Sequence, residues 1–286
     1  MRRLTKFYRV AVEAFIRFNG DDGWAIASHI ALSAIMALFP FLLVLTAIAG
    51  LFGSRELADE AARIILETWP EEVAAPLAVE MHGVLASARG SVLTVGVLLA
   101  LYFASAGIES LRIGLNRAYD IIDTRSWWLL RLESVAYVII GAFGLLALAF
   151  LVFLAPLIWQ TTVRYLPQLQ PLGAIVTFTR FTIAGLVLIV ALVIVHLWLP
   201  AGRRTFREIV PGVIATLVLW LVAGTLFGRY LADFAFTYST YYAGLATPMI
   251  ALVFLYLTSS IFIYGGELNT ALRRLNMQES EPPEET

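Results

Sequence analysis

The chain has 286 residues, of which 60% are hydrophobic and 14% charged, with a formal net charge of −1 and a mean hydropathy of +0.81. A water-soluble fold has no way to cover that much apolar surface, so the composition places the chain in a bilayer. With no cysteine and three histidines, disulfides and thiolate chemistry are excluded and a His-rich metal centre is disfavoured; no catalytic residue, cofactor or metal is expected.

Residues 1–20 carry Arg2, Arg3, Lys6, Arg9 and Arg17 interleaved with Leu4, Phe7, Val10, Val12, Phe15, Ile16 and Phe18. This pattern predicts a basic amphipathic helix, either lying in the cytoplasmic headgroup region or packed on the membrane domain. It lacks the compact apolar core of a cleavable signal, so residues 1–22 are read as an arm and 23–272 as the membrane domain. Six long apolar segments follow, at about 24–52, 91–108, 134–159, 172–199, 209–231 and 247–272, each near the ~20 residues needed to cross a bilayer. They are continuous rather than ~10-residue alternating runs, which selects helices over barrel strands. The expected fold class is therefore all-α, a polytopic membrane protein with six transmembrane helices.

The loop at 53–90 contains Glu56, Asp59, Glu60, Glu67, Glu71, Glu72 and Glu80 against Arg55, Arg63 and Arg89. Leu57, Ala61, Ile64, Ile65 and Trp69 recur at helical spacing, and Pro70 introduces a break, so two amphipathic helices on the outer face are expected. Gly224 and Gly228 form a GxxxG pair, read as helix packing within the bundle. Residues 273–286, acidic and Pro-containing, are expected to be a disordered tail.

Lys and Arg set the orientation. They concentrate in the arm, in the loop with Arg112, Arg117, Arg125 and Arg131, in the loop with Arg203, Arg204 and Arg207, and at Arg273 and Arg274. The alternate loops are poor in them. Both termini are thus expected in the cytoplasm of a bacterial inner-membrane, multi-pass protein. In that frame His29 and Ser33 lie towards the cytoplasmic start of the first segment, and a kink is expected at Pro40. Glu109, Asn116 and Arg117 lie at the end of the second, His196 at the end of the fourth, and Glu267 and Asn269 at the end of the sixth. Ionisable groups at such depths usually face a bundle interior or a wet cavity. These residues are the candidate cavity-lining or substrate-binding set; boundary ion pairs such as Glu109 with Arg112 are the structural alternative. Arg180, inside the fourth segment towards the outer side, needs a counter-charge or water. Asp233 is the nearest candidate partner, and contact with an anionic head group is the functional alternative.

Stretches ASHIALSAIMALFPFLL (27–43), ASAGIESLRIGLNRAYD (104–120), RSWWLLRLES (125–134), LPAGRRTFREIVPG (199–212) and YYAGLATPMIALVFLYLTSSIFIYGGELNTAL (241–272) resemble the YihY/BrkB family of bacterial inner-membrane proteins, formerly labelled ribonuclease BN-like. The resemblance implies six membrane helices with both termini inside, and a shared set that includes His29, Ser33, Pro40, Glu109, Asn116, Arg117, Pro211, Gly212, Gly266, Glu267 and Asn269. Family members are associated with serum resistance, transport and envelope lipid handling. Three readings stay open. The first is a transporter or lipid-translocating protein of the cell envelope, with a polar cavity near the cytoplasmic side and membrane lipids or an anionic amphiphile as partners. The second is a structural adaptor docking an envelope partner through the outer loop. The third is a membrane nuclease, disfavoured because His29, His82 and His196 are dispersed. No P-loop, HExxH or GxSxG motif occurs, and the basic loops already serve topology, so no nucleic-acid partner is expected.

Overall fold

The computed structural model describes residues 2–52, 90–242 and 246–280, and among these every element is helical. In chain order they are α1 (Arg2–Gly20), α2 (Gly23–Phe52), α3 (Gly90–Ala118), α4 (Trp127–Ala149), α5 (Ala155–Tyr165), α6 (Gly173–Trp198), α7 (Phe206–Tyr242) and α8 (Ala246–Ser280). A π-helical turn, Phe150–Leu154, joins α4 to α5, and a 3₁₀ turn, Pro167–Leu172, leads into α6. The π turn falls just before Pro156, whose ring and missing N–H cannot continue a regular ladder; one extra residue per turn absorbs the mismatch.

Among the described residues five stretches are long and apolar enough to cross a membrane: Thr94–Ala118, Trp127–Leu148, Pro167–Trp198, Phe206–Leu231 and Pro248–Glu279. The sixth apolar helix is α2, with a shorter apolar stretch at Gly23–Leu38. The polytopic all-α expectation holds. The two helices expected within the 53–90 loop fall on residues outside the described ones, up to 89.

α8 is the axis of the bundle. It packs against α1, α2, α3 and α7, while α2 lies along α3, α3 against α4, and α6 against α7. Burial is concentrated at the end where α1 sits. There Phe18, Ile30, Leu115, Tyr119, Leu192, Leu199, Ile209, Val213, Phe262 and Ile263 form one core. Away from it the helices turn apolar side chains outward, as α4 does with Ile139, Ile140, Phe143, Leu145 and Leu146. That is stable only where the surrounding solvent is lipid.

α1 has two faces. Val10 and Ala14 are buried with Leu268, Ala271 and Leu275 of α8, whereas Phe7, Tyr8, Phe15 and Ile16 are exposed. The arm is therefore docked along the bundle, with an apolar face left outward. Docking also corrects the expected tail. α8 runs to Ser280 because Lys6 Nζ meets Glu279 Oε2 at 2.6 Å and Asn276 Oδ1 at 3.2 Å, so residues 273–280 are helical rather than disordered. Among the described residues Gly224 and Gly228 pack against no neighbouring helix, since a Cβ at either would meet nothing within 4 Å. Close helix approach is found instead at Gly212 and Gly265. A Cβ on Gly212 would collide with the Gly265 carbonyl and the Asn269 amide, and one on Gly265 with Thr216 Oγ1.

Candidate functional site

The polar residues gather where α3 ends, in GLNRAYD (114–120). Asp120 leaves the helix with φ 56°, and Asp22, in the turn after α1, has φ 57°. Aspartate tolerates this left-handed conformation better than most residues, and the turn throws its carboxylate sideways. Asp22 Oδ2 accepts from Arg117 Nη1 at 2.8 Å. Asp120 accepts from Arg17 Nη2 at 3.1 Å and from Arg274 Nη2 at 2.8 Å. Aspartate and arginine thus stitch α1, α3 and α8 together at one level.

Arg17 is the hub of this stitching. Its Nε donates to Glu267 Oε2 at 2.9 Å, and its Nη2 also donates to the Ala118 carbonyl at 3.2 Å. Burial alone would lower the Arg17 pKa; the carboxylates of Glu267 and Asp120 outweigh it and hold the group above its ordinary value. Glu267 is fully buried, and its second oxygen, Oε1, has no partner. Gly266 beside it lets α8 lie against Leu115 and Ala118 of α3.

A second chain of contacts runs through the core. Pro211 interrupts the amide ladder of α7, and the next N–H, that of Gly212, is taken by Asn269 Oδ1 at 2.6 Å. Asn269 Nδ2 donates to Tyr119 Oη at 3.1 Å, so the phenol proton is free to go to His196 Nδ1, 3.0 Å away. That assigns His196 its Nε2–H tautomer. The ring stacks on Phe262 at 4.7 Å, and Nε2 is buried without a partner. Burial holds the Tyr119 phenol up at about 12, so it works as a neutral relay between amide and imidazole.

The third group fixes the loops. Asn116 accepts the Ala201 N–H at 2.7 Å on Oδ1 and donates to Asp123 Oδ2 at 3.1 Å. Asp123 receives one edge of Arg125 with both its oxygens, Nε at 2.9 Å and Nη2 at 2.7 Å, and Arg125 reaches Glu133 at 2.7 Å and the Leu199 carbonyl at 3.2 Å. Arg112, nearly fully buried, donates to the Leu130 carbonyl and Ser134 Oγ at 3.0 Å each. The Arg125 hydrogen bonds hold the Asp123 carboxyl down at about 2, against the burial that would raise it. Its native pKa is therefore below the unfolded value of about 3.9, so its stabilisation is complete above about pH 4 and lost as pH falls towards 2. Thermal unfolding in detergent is expected to show this acid-linked loss in the parent chain. Asp123→Asn is expected to flatten it and lower stability at pH 7.

Of the candidate set, Asn116, Arg117, His196, Glu267 and Asn269 lie at this polar end and Glu109 adjoins it through Arg112, whereas His29, Ser33 and Arg180 lie apart from it. His29 sits on an exposed face of α2, where its Nδ1 bonds Ser110 Oγ. Ser33 is buried against Gly107 of α3. Glu109 pairs with Arg131 at 3.1 Å and Arg112 at 3.7 Å. Arg117 is exposed beside Asp22. Arg180 lies sixteen residues before His196 on α6, about 24 Å along the axis. Its guanidinium lies over the Phe181 ring at 4.7 Å, and its Nε has no partner; the side chain of Asp233 lies outside the described residues. Sequence reasoning missed Arg17, Tyr119, Asp123 and Arg204 as members of the network. Tyr119 had a signal, standing three residues beyond Asn116 in a stretch already singled out, whereas Asp123 falls between two such stretches.

The family model described as Virulence factor BrkB matches residues 14–286. Among curated proteins, the chain is 24% identical to the putative ribonuclease-like protein YfkH of Bacillus subtilis, over 95% of this chain and 98% of that one. It is 28% identical to the UPF0761 membrane protein RC1_0578 of Rhodospirillum centenum, over 94% of this chain and 59% of that protein. It is 27% identical to a UPF0761 membrane protein of Chromohalobacter salexigens, over 93% and 64%. The chain thus spans less than two thirds of the two UPF0761 proteins. No solved structure matches it.

Proposed function

This chain belongs to the BrkB family of membrane proteins, and from that premise we propose that it is a non-enzymatic transporter or lipid-translocating protein of the bacterial inner membrane. In this reading the end carrying α1 faces the cytoplasm, and the Asn269–Tyr119–His196 chain with Glu267 lines the polar route. One observation carries the reading. Among the described residues, four atoms at this end on side chains at most 1% exposed have no hydrogen-bond partner: His196 Nε2, Thr216 Oγ1, Glu267 Oε1 and Thr270 Oγ1. Each such atom costs about 1–3 kcal/mol, and a bundle that needed only cohesion would be as stable or more so with apolar residues there. Donors and acceptors contributed by α6, α7 and α8 suit a polar species passing between these helices, which satisfies them in turn.

The ribonuclease-like name of the Bacillus relative stays with that protein. Among the described residues no three or more His, Cys, Asp or Glu group together as metal ligands would.

Reconstituted vesicles test the reading. The protein is expected to accelerate transbilayer movement of fluorescent phospholipids or efflux of a trapped anionic solute. The variant His196→Phe with Thr216→Val and Thr270→Val, apolar but of similar shape, is expected to fold and lose at least tenfold in rate. A folded variant as fast as the parent, or a parent no faster than empty vesicles for either cargo, removes the proposal.

A further inference from the structure

α1 is anchored near both of its ends. Lys6 pairs with Glu279, and Arg17 pairs with Glu267 and Asp120, so the helix runs antiparallel to the end of α8. Between these anchors it presents small side chains. Val10 and Ala14 are buried with Leu268, Ala271 and Leu275, and the Ala11 carbonyl accepts from Tyr264 Oη at 3.1 Å. Docked in this way, α1 supplies the one described hydrogen bond of the buried Glu267. Through Arg17 it also takes the Ala118 carbonyl at the end of α3.

The outward face of α1 suits a second position. Tyr8, Phe15 and Ile16 are exposed, as Phe7 is, and they are bulkier than the Val10 and Ala14 side chains that are docked. α1 also carries Arg2, Arg3 and Arg9 besides Lys6 and Arg17. A helix with aromatic and aliphatic residues on one face and cations on the other is of the kind that lies in the headgroup layer of an anionic leaflet. Its connection to α2 is the turn Asp21-Asp22, bounded by Gly20 and Gly23. Asp22 has φ 57°, a Cβ on Gly20 would meet nothing within 4 Å, and such element-terminal residues absorb hinge motion. The turn is tethered to α3 through the exposed pair of Asp22 with Arg117. Exposed pairs of this kind, like that of Lys6 with Glu279, are weak and screened by salt.

We propose that α1 is a hinged strap with two seats, one on α8 and one on the anionic lipid leaflet at this end of the bundle. On α8 it closes over Glu267. Swung out about the Gly20–Gly23 turn, it lies with Tyr8, Phe15 and Ile16 among the headgroups and leaves Glu267 open to water. Anionic lipid favours the second seat, because docking pairs Lys6 and Arg17 with carboxylates and release returns both cations to the membrane surface. In a neutral leaflet the pair with the buried Glu267 keeps the strap docked. The position of the strap is read without any transported species, so its failure leaves the transport reading to its own test.

The chain has no cysteine, so single substitutions Val10→Cys and Ile16→Cys in the full-length protein report the two faces of α1 separately. Each variant is placed in nanodiscs of phosphatidylcholine, or of equal parts phosphatidylcholine and phosphatidylglycerol, and labelled with a water-soluble maleimide. On going to the anionic discs, Val10→Cys is expected to label about fivefold or more faster, as its face leaves α8 for water. Ile16→Cys is expected to label about fivefold or more slower, as its face enters lipid. Should Val10→Cys not fold, Ala14→Cys reads the same face. The opposite signs are the signature. Loosening or unfolding of the arm speeds both sites, and a second copy seated on the outer face protects Ile16→Cys in both kinds of disc while Val10→Cys stays unmoved. Either of those patterns, or labelling rates that ignore lipid charge, overturns the proposal.

Discussion

Replacing Arg17 with alanine is expected to destabilise the membrane domain by about 3–5 kcal/mol, the usual result of stranding one member of a buried ion pair. Glu267 is fully buried and takes its one described hydrogen bond from Arg17. Asp120 keeps Arg274 when Arg17 is lost, so the cost falls mainly on Glu267. The double variant Arg17→Met with Glu267→Leu is expected to recover most of the loss, since neither charge then remains to be compensated. Denaturant unfolding in detergent gives the energies, and limited proteolysis within residues 1–22 shows whether the arm has come away from α8. A loss below about 1 kcal/mol in Arg17→Ala would contradict a pair that matters to the fold.

The second large effect is expected at a glycine. Gly212→Ala pushes a methyl group into the backbone carbonyl of Gly265 and the amide of Asn269. The Gly265 carbonyl is backbone and cannot swing aside, so α7 and α8 must separate. Overpacking of this kind costs about 1–3 kcal/mol, and displacing Asn269 from the Gly212 N–H adds about 1 kcal/mol. Gly224→Ala is the internal control. Its Cβ meets nothing, and alanine is the better helix former, so stability is expected to be unchanged or up to about 1 kcal/mol higher. Thermal unfolding of the two purified variants compares them directly; equal stabilities would refute the close approach.

The polar end was partly legible before any coordinates. Asn116, His196, Glu267 and Asn269 stand at the ends of apolar segments, where a polar residue is costly enough to be noticed, and all four lie at the polar end, Glu267 with Arg17, Asn269 and His196 on either side of Tyr119, and Asn116 with Asp123. Arg17 was read as one more cation of a basic arm, because nothing local marks an arginine whose partner lies 250 positions away. Arg204 was likewise absorbed into the count of topogenic charges. Glu109 and His29 share the level of the others but point to Arg131 and Ser110; depth along a helix follows from spacing, while azimuth depends on which neighbour the helix faces. For the same reason Gly224 and Gly228 looked like a packing motif and have no close neighbour among the described residues.

The sequence by itself determined the solvent, the helical class and the positions of the apolar helices, because transfer of backbone and side chains into hydrocarbon is dominated by composition over ~20 residues. Tertiary structure alone decided that the arm lies along α8 and keeps residues 273–280 helical. It also decided that Tyr119 joins Asn269 to His196, and that Arg204 lies over the Tyr119 ring. Each of these depends on pairing between residues far apart in the chain, where the cost of an unmatched buried charge or amide, rather than local preference, selects the arrangement.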